Sequence, residues 1–446
     1  MVILNRNHFI PISILYFLVQ KELMTCMKKE KMNAVEHSDL ETTHLQITTR
    51  STMTRNMALL FATASGMAVA NIYFAQPLLD SLASEFGISY SSIGMVITIT
   101  QLCYALGLLL IVPLGDLFNQ RRLIVAQMLV SVLSLILVGI APTATVLFIG
   151  LAAVGLLAVV TQVLVAFAAT WAAPEERGRI VGLVQSGIVI GILLARTFAG
   201  VLTDLAGWRS VYLVSGVMML IITGVLYRYL PRADSKRVSI SYVNLLASMF
   251  ILFRQERILR IRSVLGFLIF VVFGTLWTSL VLPLSTTPYN LSHTAIGAFG
   301  LAGVAGALGA ARAGSLADRG LGQLTTCIAL VLLLFSWCFI FFTEYSLILL
   351  IVGIVILDLS VQAVHVTNQS MIFMVRPEAR SRLTAAYMIF YSLGSALGST
   401  VSTNIYANAG WNGVCLFGAS ISALALLYWM ITYRFTAQIT GTSDVK

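Results

Sequence analysis

Asp358, Gln362, His365 and Gln369 stand four, three and four residues apart in the stretch ILDLSVQAVHVTNQ. The surrounding run begins near Leu347 and meets no Lys or Arg until Arg376. On a helix this spacing puts all four side chains on one face. An acid, a base and two amides on one face can hold a polar solute and can load and release protons. They cannot hold a metal ion alone, because one Asp and one His seven residues apart supply too few ligands. A second use stays open for part of the set: His365 can bond a backbone carbonyl and the glutamines can pin helix packing.

What surrounds that face follows from composition. Of 446 residues, 58% are hydrophobic and 10% charged, with a mean hydropathy of +0.91. A soluble domain carries about 25% charged residues. Runs of about 20 apolar residues, the length a helix needs to cross roughly 30 Å of hydrocarbon, recur along the chain. Twelve are read, at 57–78, 92–114, 123–141, 146–170, 180–203, 210–230, 263–284, 293–313, 325–342, 346–374, 383–405 and 413–433. The chain is therefore expected to be an all-α membrane protein with twelve transmembrane helices.

The net charge of +10 is a matter of topology. Of 28 basic residues, 26 fall in the N-terminal segment, the even-numbered loops and the C-terminal tail; Arg209 and Arg196 are the others. This positive-inside distribution places both termini in the cytoplasm and excludes a nucleic-acid footprint. Cys26, Cys103, Cys327, Cys338 and Cys415 have no metal-ligand spacing and imply no disulfide framework. The apolar piece Phe9–Val19 is about 11 residues, too short to span. With Pro11 inside it and no small-residue cleavage motif after it, it is not expected to be a signal peptide.

Three landmarks repeat at one offset to within a residue. PLGDLFNQRRLI around Asp116 returns as GSLADRGLGQL around Asp318, 202 residues on; Pro174 returns as Pro377 and Trp208 as Trp411, each 203 on. A duplicated six-span unit preserves orientation, so the halves are parallel repeats about an axis along the membrane normal. The expected domains are a disordered cytoplasmic leader at 1–55, a six-helix bundle at 56–230, a cytoplasmic linker at 231–262, a second bundle at 263–434 and a tail at 435–446.

Six plus six spans with these loops resembles the major facilitator superfamily over roughly residues 55–435. That family carries G-x-x-x-D-R-x-G-R-R after its second and eighth spans. Gly314–Arg319 fits the opening of this signature. The first copy keeps Asp116, Arg121 and Arg122 but has Val112, Leu117 and Asn119 in place of the leading Gly, the Arg and the inner Gly. Together with NIYFAQPLL at Asn71–Leu79, HVTNQ and PEARSR, the chain looks like the arabinose-efflux-like permeases of bacteria. The drug–proton antiporter signature G-x-x-x-G-P-x-x-G-G is only partly kept: Gly187 and Gly191 remain, while Ile192, Ala195 and Arg196 replace the Pro and the closing glycines.

The resemblance implies a multi-pass transporter of the bacterial cytoplasmic membrane, working by alternating access as a monomer. It implies proton-coupled efflux of a small molecule, with proton-coupled uptake of a sugar or metabolite as the alternative and a membrane sensor as a remote one. The proton gradient and membrane lipid are its expected partners, with no cofactor and no nucleic acid. No H-E-x-x-H, acid-rich metal motif or G-x-S-x-G supports an enzyme. In the family the first, fourth, seventh and tenth spans line the cavity, and the fifth helps join the halves.

Ionisable groups deep in the spans come one of each kind: Asp358, His365 and Arg196. Intramembrane charges are costly and usually mark pathways. Asp358 and His365 are the expected proton-coupling pair, with Asp358 near mid-membrane and His365 two turns nearer the cytoplasm. Expected cavity residues are Asn71, Tyr73, Gln76, Gln162, Arg196, Trp277, Thr278, Gln362 and Gln369, with packing roles open for the first-, fourth- and seventh-span members and a static counter-charge between the halves open for Arg196. Asp116, Arg121, Arg122, Asp318 and Arg319 are expected to form a conformational latch through charge-assisted hydrogen bonds at the cytoplasmic mouth. The other reading of those arginines is topology alone.

Overall fold

Leu-, Val-, Ile- and Ala-rich runs favour helix because every backbone group must be bonded within the segment when water is absent. Short side-chain caps open them: Thr54, Asn119, Thr143 and Ser292 accept from the backbone N–H three residues on. The computed structural model describes residues 53–173, 176–230, 242–303, 306, 312–313, 316–376 and 379–437, without the side chains at 116, 317, 318, 380, 381, 436 and 437. The expected leader and tail therefore lie mostly outside the described residues.

The first repeat contains α1 (Arg55–Tyr73), α2 (Leu79–Phe86), α3 (Met95–Leu110), α4 (Gln120–Gly139), α5 (Ala144–Leu157), α6 (Val160–Trp171), α7 (Arg177–Ala206) and α8 (Trp208–Tyr229). After it come α9 (Tyr242–Gln255), α10 (Arg257–Ser279), α11 (His293–Ala298), α12 (Gly322–Phe341), α13 (Leu347–Val375) and α14 (Arg380–Ala437). No strand occurs among the described residues. Nine described helical segments are long and apolar enough to cross a membrane, and Met95–Leu110 is a shorter apolar helix. One of the nine, Arg382–Phe435, is 54 residues long and changes direction at Gly410, where φ is 64°. Gly207, with φ 79°, makes the corresponding turn between α7 and α8. The Trp208 and Trp411 landmarks of the sequence thus each follow the same turn, which needs the left-handed backbone that glycine adopts freely.

Breaks in the helices sit where polar residues gather. Pro77 lacks an N–H and its ring crowds the preceding turn, so α1 gives way to a 3-10 turn, Gln76–Leu78, before α2 resumes. The eighth apolar run likewise passes from α11 into a 3-10 turn, Phe299–Ala302. Broken spans are tolerated in a membrane only where the freed backbone is buried in protein or lines a cavity.

The linker expectation is refined by α9, whose Leu245, Met249 and Leu252 are buried on one face while Val243, Phe250 and Ile251 are exposed. Tyr242 donates to the Leu110 carbonyl at 2.7 Å and Phe253 stacks on Phe390 at 4.8 Å. The helix of the seventh run starts already at Arg257.

Small residues set the tightest crossings. A Cβ on Gly187 or Gly191 of α7 would collide with the backbone of Ala62 or Gly66 in α1. In the second repeat a Cβ on Gly394 or Gly398 of α14 would collide with the backbone of Phe267 or Val271 in α10. Without a hydrophobic force between helices in lipid, such close approach is a main source of association. We expect Gly191→Ala to part α1 from α7 and cost about 1–3 kcal/mol. Gly224→Ala, with no atom within 4 Å of the added methyl, should be neutral or better. Thermal unfolding in detergent checks the pair; equal midpoints would show that this crossing is not constrained.

Candidate functional site

Three helices bring two buried charges together, while a third, Arg262, is buried apart from them against Thr326 and Asn368. Arg196 projects from α7, Trp277 from α10 and Asp358 from α13, while Gln76 enters from the break in the first span. Arg196 is 2% exposed and Asp358 4%. The Arg196 guanidinium lies 3.7 Å from the centroid of the Trp277 ring, with Tyr73 and Phe273 at 5.4 and 5.6 Å. A cation on aromatic faces in a dry site gains roughly 2 kcal/mol or more. Arg196 Nε donates to Gln76 Oε1 at 2.7 Å, and Trp277 Nε1 donates to Asp358 Oδ1 at 3.0 Å. No described carboxylate oxygen lies within 4.0 Å of the Arg196 guanidinium. The acid and the base are thus joined through one indole without pairing directly.

Between them lies a cavity of about 20 Å³, room for about one water molecule, walled by Arg196, Asp358, Gln362, Phe273, Leu193 and Gly303. Gly303 leaves the space beside Asp358 Oδ2, and a Cβ on Gly306 would meet the Asp358 backbone. The eighth span therefore presses backbone to backbone on α13 at the acid.

The helix face read from the sequence divides in two. Asp358 and Gln362 line the cavity. His365 and Gln369 join a second cluster: His365 Nδ1 lies 3.0 Å from the Tyr387 hydroxyl, and its Nε2 lies 3.4 Å from Gln369 Nε2. Phe270 meets the imidazole edge to face at 5.3 Å. Asn368 joins the cluster, accepting from Arg262 Nη1 at 3.2 Å.

Other expected cavity residues bond neighbouring side chains here. Asn71 accepts from Ser215 of α8 at 2.8 Å, and Thr278 shares a 2.7 Å hydrogen bond with Ser399 of α14. Gln162 bonds the Tyr104 hydroxyl. Of the latch residues, Arg121 donates to the Tyr227 carbonyl at 2.6 Å and lies over that ring at 5.0 Å. Arg122 is exposed at the start of α4, and Arg319 is exposed on a π turn, Ala317–Leu321, containing Gly320 at φ 83°. The side chains of Asp116 and Asp318 lie outside the described residues.

One cluster was missed by the sequence reading. His293, opening α11, reaches three partners at the mouth formed by α2, the end of α7 and α11. Its Nε2 lies 2.9 Å from Ser81 Oγ and 3.2 Å from Asp80 Oδ1; its Nδ1 lies 3.1 Å from Asp204 Oδ1. The backbone N–H groups of His293 and Thr294 donate to the Asp204 carboxylate at 3.2 and 2.7 Å. Below this clasp, Gly200 and Gly297 bring α7 and α11 into backbone contact. Searching by depth in the span overlooked His293, because a mouth is where charges are allowed. The available signal was its position opening one span, with Asp80 and Asp204 closing two others.

The comparisons with known proteins agree with this architecture. The pattern described as Major Facilitator Superfamily matches residues 59–374 and again 264–442. The chain belongs to the Major Facilitator Superfamily, and it is a multi-pass membrane transporter. It is 47% identical over 373 residues to YgaY of Escherichia coli (strain K12), named as a transporter, covering 84% of this chain and 94% of that one. It is 27% identical over 372 residues to YnfM of the same strain, named as an inner membrane transport protein, covering 82% and 87%. In fold it is similar to a bacterial homologue of the human lysosomal transporter Spinster in an inward-facing, unoccupied conformation. The TM-score there is 0.64 at 15% identity, over 86% of this chain and 97% of that one.

The hydrogen bond with Asp80, ahead of the opposing effect of burial, raises the pKa of the His293 imidazole above its ordinary value. The Asp204 contacts add to this. Protonation therefore favours the clasped mouth. That stabilisation is fully present below the ordinary value of about 6.5 and is lost as pH rises through the raised one. We expect His293→Ala to raise the population with this mouth open about tenfold, the effect of losing roughly 1.4 kcal/mol of charge-assisted bonding. In the parent, alkaline pH should act in the same direction. Spin-label distances across the mouth check both; a variant distribution identical to the parent at every pH would remove the clasp.

Proposed function

We propose that this chain is a proton-coupled exporter of the bacterial inner membrane, with twelve spans in two six-helix bundles and both termini in the cytoplasm. Its resemblance to the arabinose-efflux-like branch favours export. The name of YnfM supports the membrane assigned. In this orientation the His293 mouth is the outer one, and the described conformation is closed to the outside. The observation that carries the reading is the place of Asp358. It sits on the seam where α7 of the first repeat meets α10, α13 and the eighth span of the second. When the repeats rock, its neighbours on the seam change, so its charge state and the conformation become linked.

The steps follow from that linkage. An intramembrane carboxylate is costly as a bare anion. With the seam closed, the Trp277 N–H and the nearby Arg196 make its charge tolerable. With the seam open, a proton or a substrate group takes over that task. Binding one releases the other, which couples the two fluxes. His365, in its own cluster two turns further in, passes the proton toward the cytoplasm. Asp116 with Arg121 and Arg122, and Asp318 with Arg319, latch the cytoplasmic mouth in the alternate state. The chain works as a monomer with no cofactor. The partial loss of the antiporter signature at Arg196 favours a second reading, proton-coupled uptake through the same site.

Asp358→Asn, which fixes a neutral side chain, should still bind substrate but lose uphill transport. His365→Ala should lower the rate and shift its pH dependence, less severely. Proteoliposomes loaded with a compound to which overexpression gives resistance provide the assay, with substrate-induced proton flux as readout. Proton movement opposite to substrate supports export, and movement with it supports uptake. Coupling by Asp358→Asn equal to the parent would make Asp358 structural and end this mechanism.

A further inference from the structure

The seam holds a base with a donor to spare beside an acid that accepts from Trp277. Arg196 Nη2 and Gln76 Nε2 are buried and have no hydrogen-bond partner among the described residues. These two donors belong to one connected pair, since Gln76 Oε1 already accepts from Arg196 Nε. At the N–H edge of the Trp277 indole, Asp358 forms the cavity wall together with Arg196. Leaving a buried donor unbonded costs about 1–3 kcal/mol, more when it is charged. Such a cost is relieved by an acceptor that arrives from outside.

Charge decides what that visitor is. An anion would answer Arg196 and Gln76 but bring a like charge toward Asp358. A cation would answer Asp358 but leave both donors unbonded and face Arg196. At low effective dielectric either mismatch is expensive. A molecule with one carboxylate and one ammonium group answers both ends and adds no net charge to the site. Apart from Gln362, the remaining side chains of the lining are apolar: Val189, Ile192, Leu193 and Phe273. We infer that the substrate is a small zwitterion of amino-acid type with an apolar side chain. Its carboxylate takes the free donors of Arg196 and Gln76, and its ammonium takes Asp358. Closed, the cavity has room for about one water, so the ligand enters only when α7 parts from the second repeat and Arg196 draws away from Trp277. This assignment rests on the transport role proposed above, but its chemistry is tested by binding alone.

The full chain in lipid nanodiscs, screened for binding against the twenty common L-amino acids, provides the test. At least one apolar member should bind. Its carboxamide, which keeps only the positive charge, should bind at least tenfold more weakly, and so should its N-acetyl derivative, which keeps only the negative one. Arg196→Gln should abolish the preference over the carboxamide, and Asp358→Asn the preference over the N-acetyl derivative. The analogue series on the parent protein decides the matter even where a variant does not fold. No binding by any amino acid to a monodisperse parent would overturn the inference. A carboxamide that binds as tightly would replace it with an organic cation, and an N-acetyl form that binds as tightly with an organic anion. Zwitterion binding without proton movement would leave this inference standing and remove the coupling mechanism. Proton-coupled transport of some other compound, with no amino acid bound, would do the reverse.

Discussion

An arginine and an aspartate share one buried site without touching. Direct pairing would let each charge satisfy the other and make the seam a static fastener. Here the indole of Trp277 serves both, giving its face to Arg196 and its N–H to Asp358. Each partner is stabilised enough to remain buried and keeps bonding capacity in reserve. The rest of the structure can be understood as what holds this unfinished arrangement in place.

Gly187 and Gly191 let α7 lie against α1 so closely that Arg196 reaches Gln76 in the break left by Pro77. Gly394 and Gly398 hold α10 against α14 in the matching way, which fixes the helix that bears Trp277. Gly303 and Gly306 then bring the eighth span onto Asp358. One duplicated device, the small-residue crossing, thus builds both walls of the seam. Toward the mouth the seam continues through Gly200 and Gly297 to His293, where charged groups near water replace buried ones. The mouth and the centre are therefore parts of one contact.

Much of this was legible in the sequence, for reasons that differ by residue. Asp358 and Arg196 stood out because a lone charge in an apolar run has few tolerable explanations. The superfamily followed from six plus six spans and a repeat whose offset holds to within a residue, a signal that survives extensive divergence. Polar uncharged residues were harder to place. Asn71 and Thr278 look as much like cavity residues as Gln76 does, yet they bond Ser215 and Ser399 within their own repeats. A hydroxyl or amide in a span can serve a pathway or join two helices, and only its neighbours tell which. The role of Trp277 and the His293 clasp depend on contacts across more than 80 residues of chain, which no local spacing encodes.

Trp277→Phe tests the central claim most directly. It keeps an aromatic face for Arg196 but removes the only N–H that the ring offers Asp358. On this account the acid turns to the guanidinium, a direct ion pair forms, and the seam locks. Spin-label distances across the two mouths, measured alongside transport in the same proteoliposomes, should show the His293 mouth closed under all conditions and transport lost. A Trp277→Phe protein that samples both conformations and transports like the parent would contradict the account.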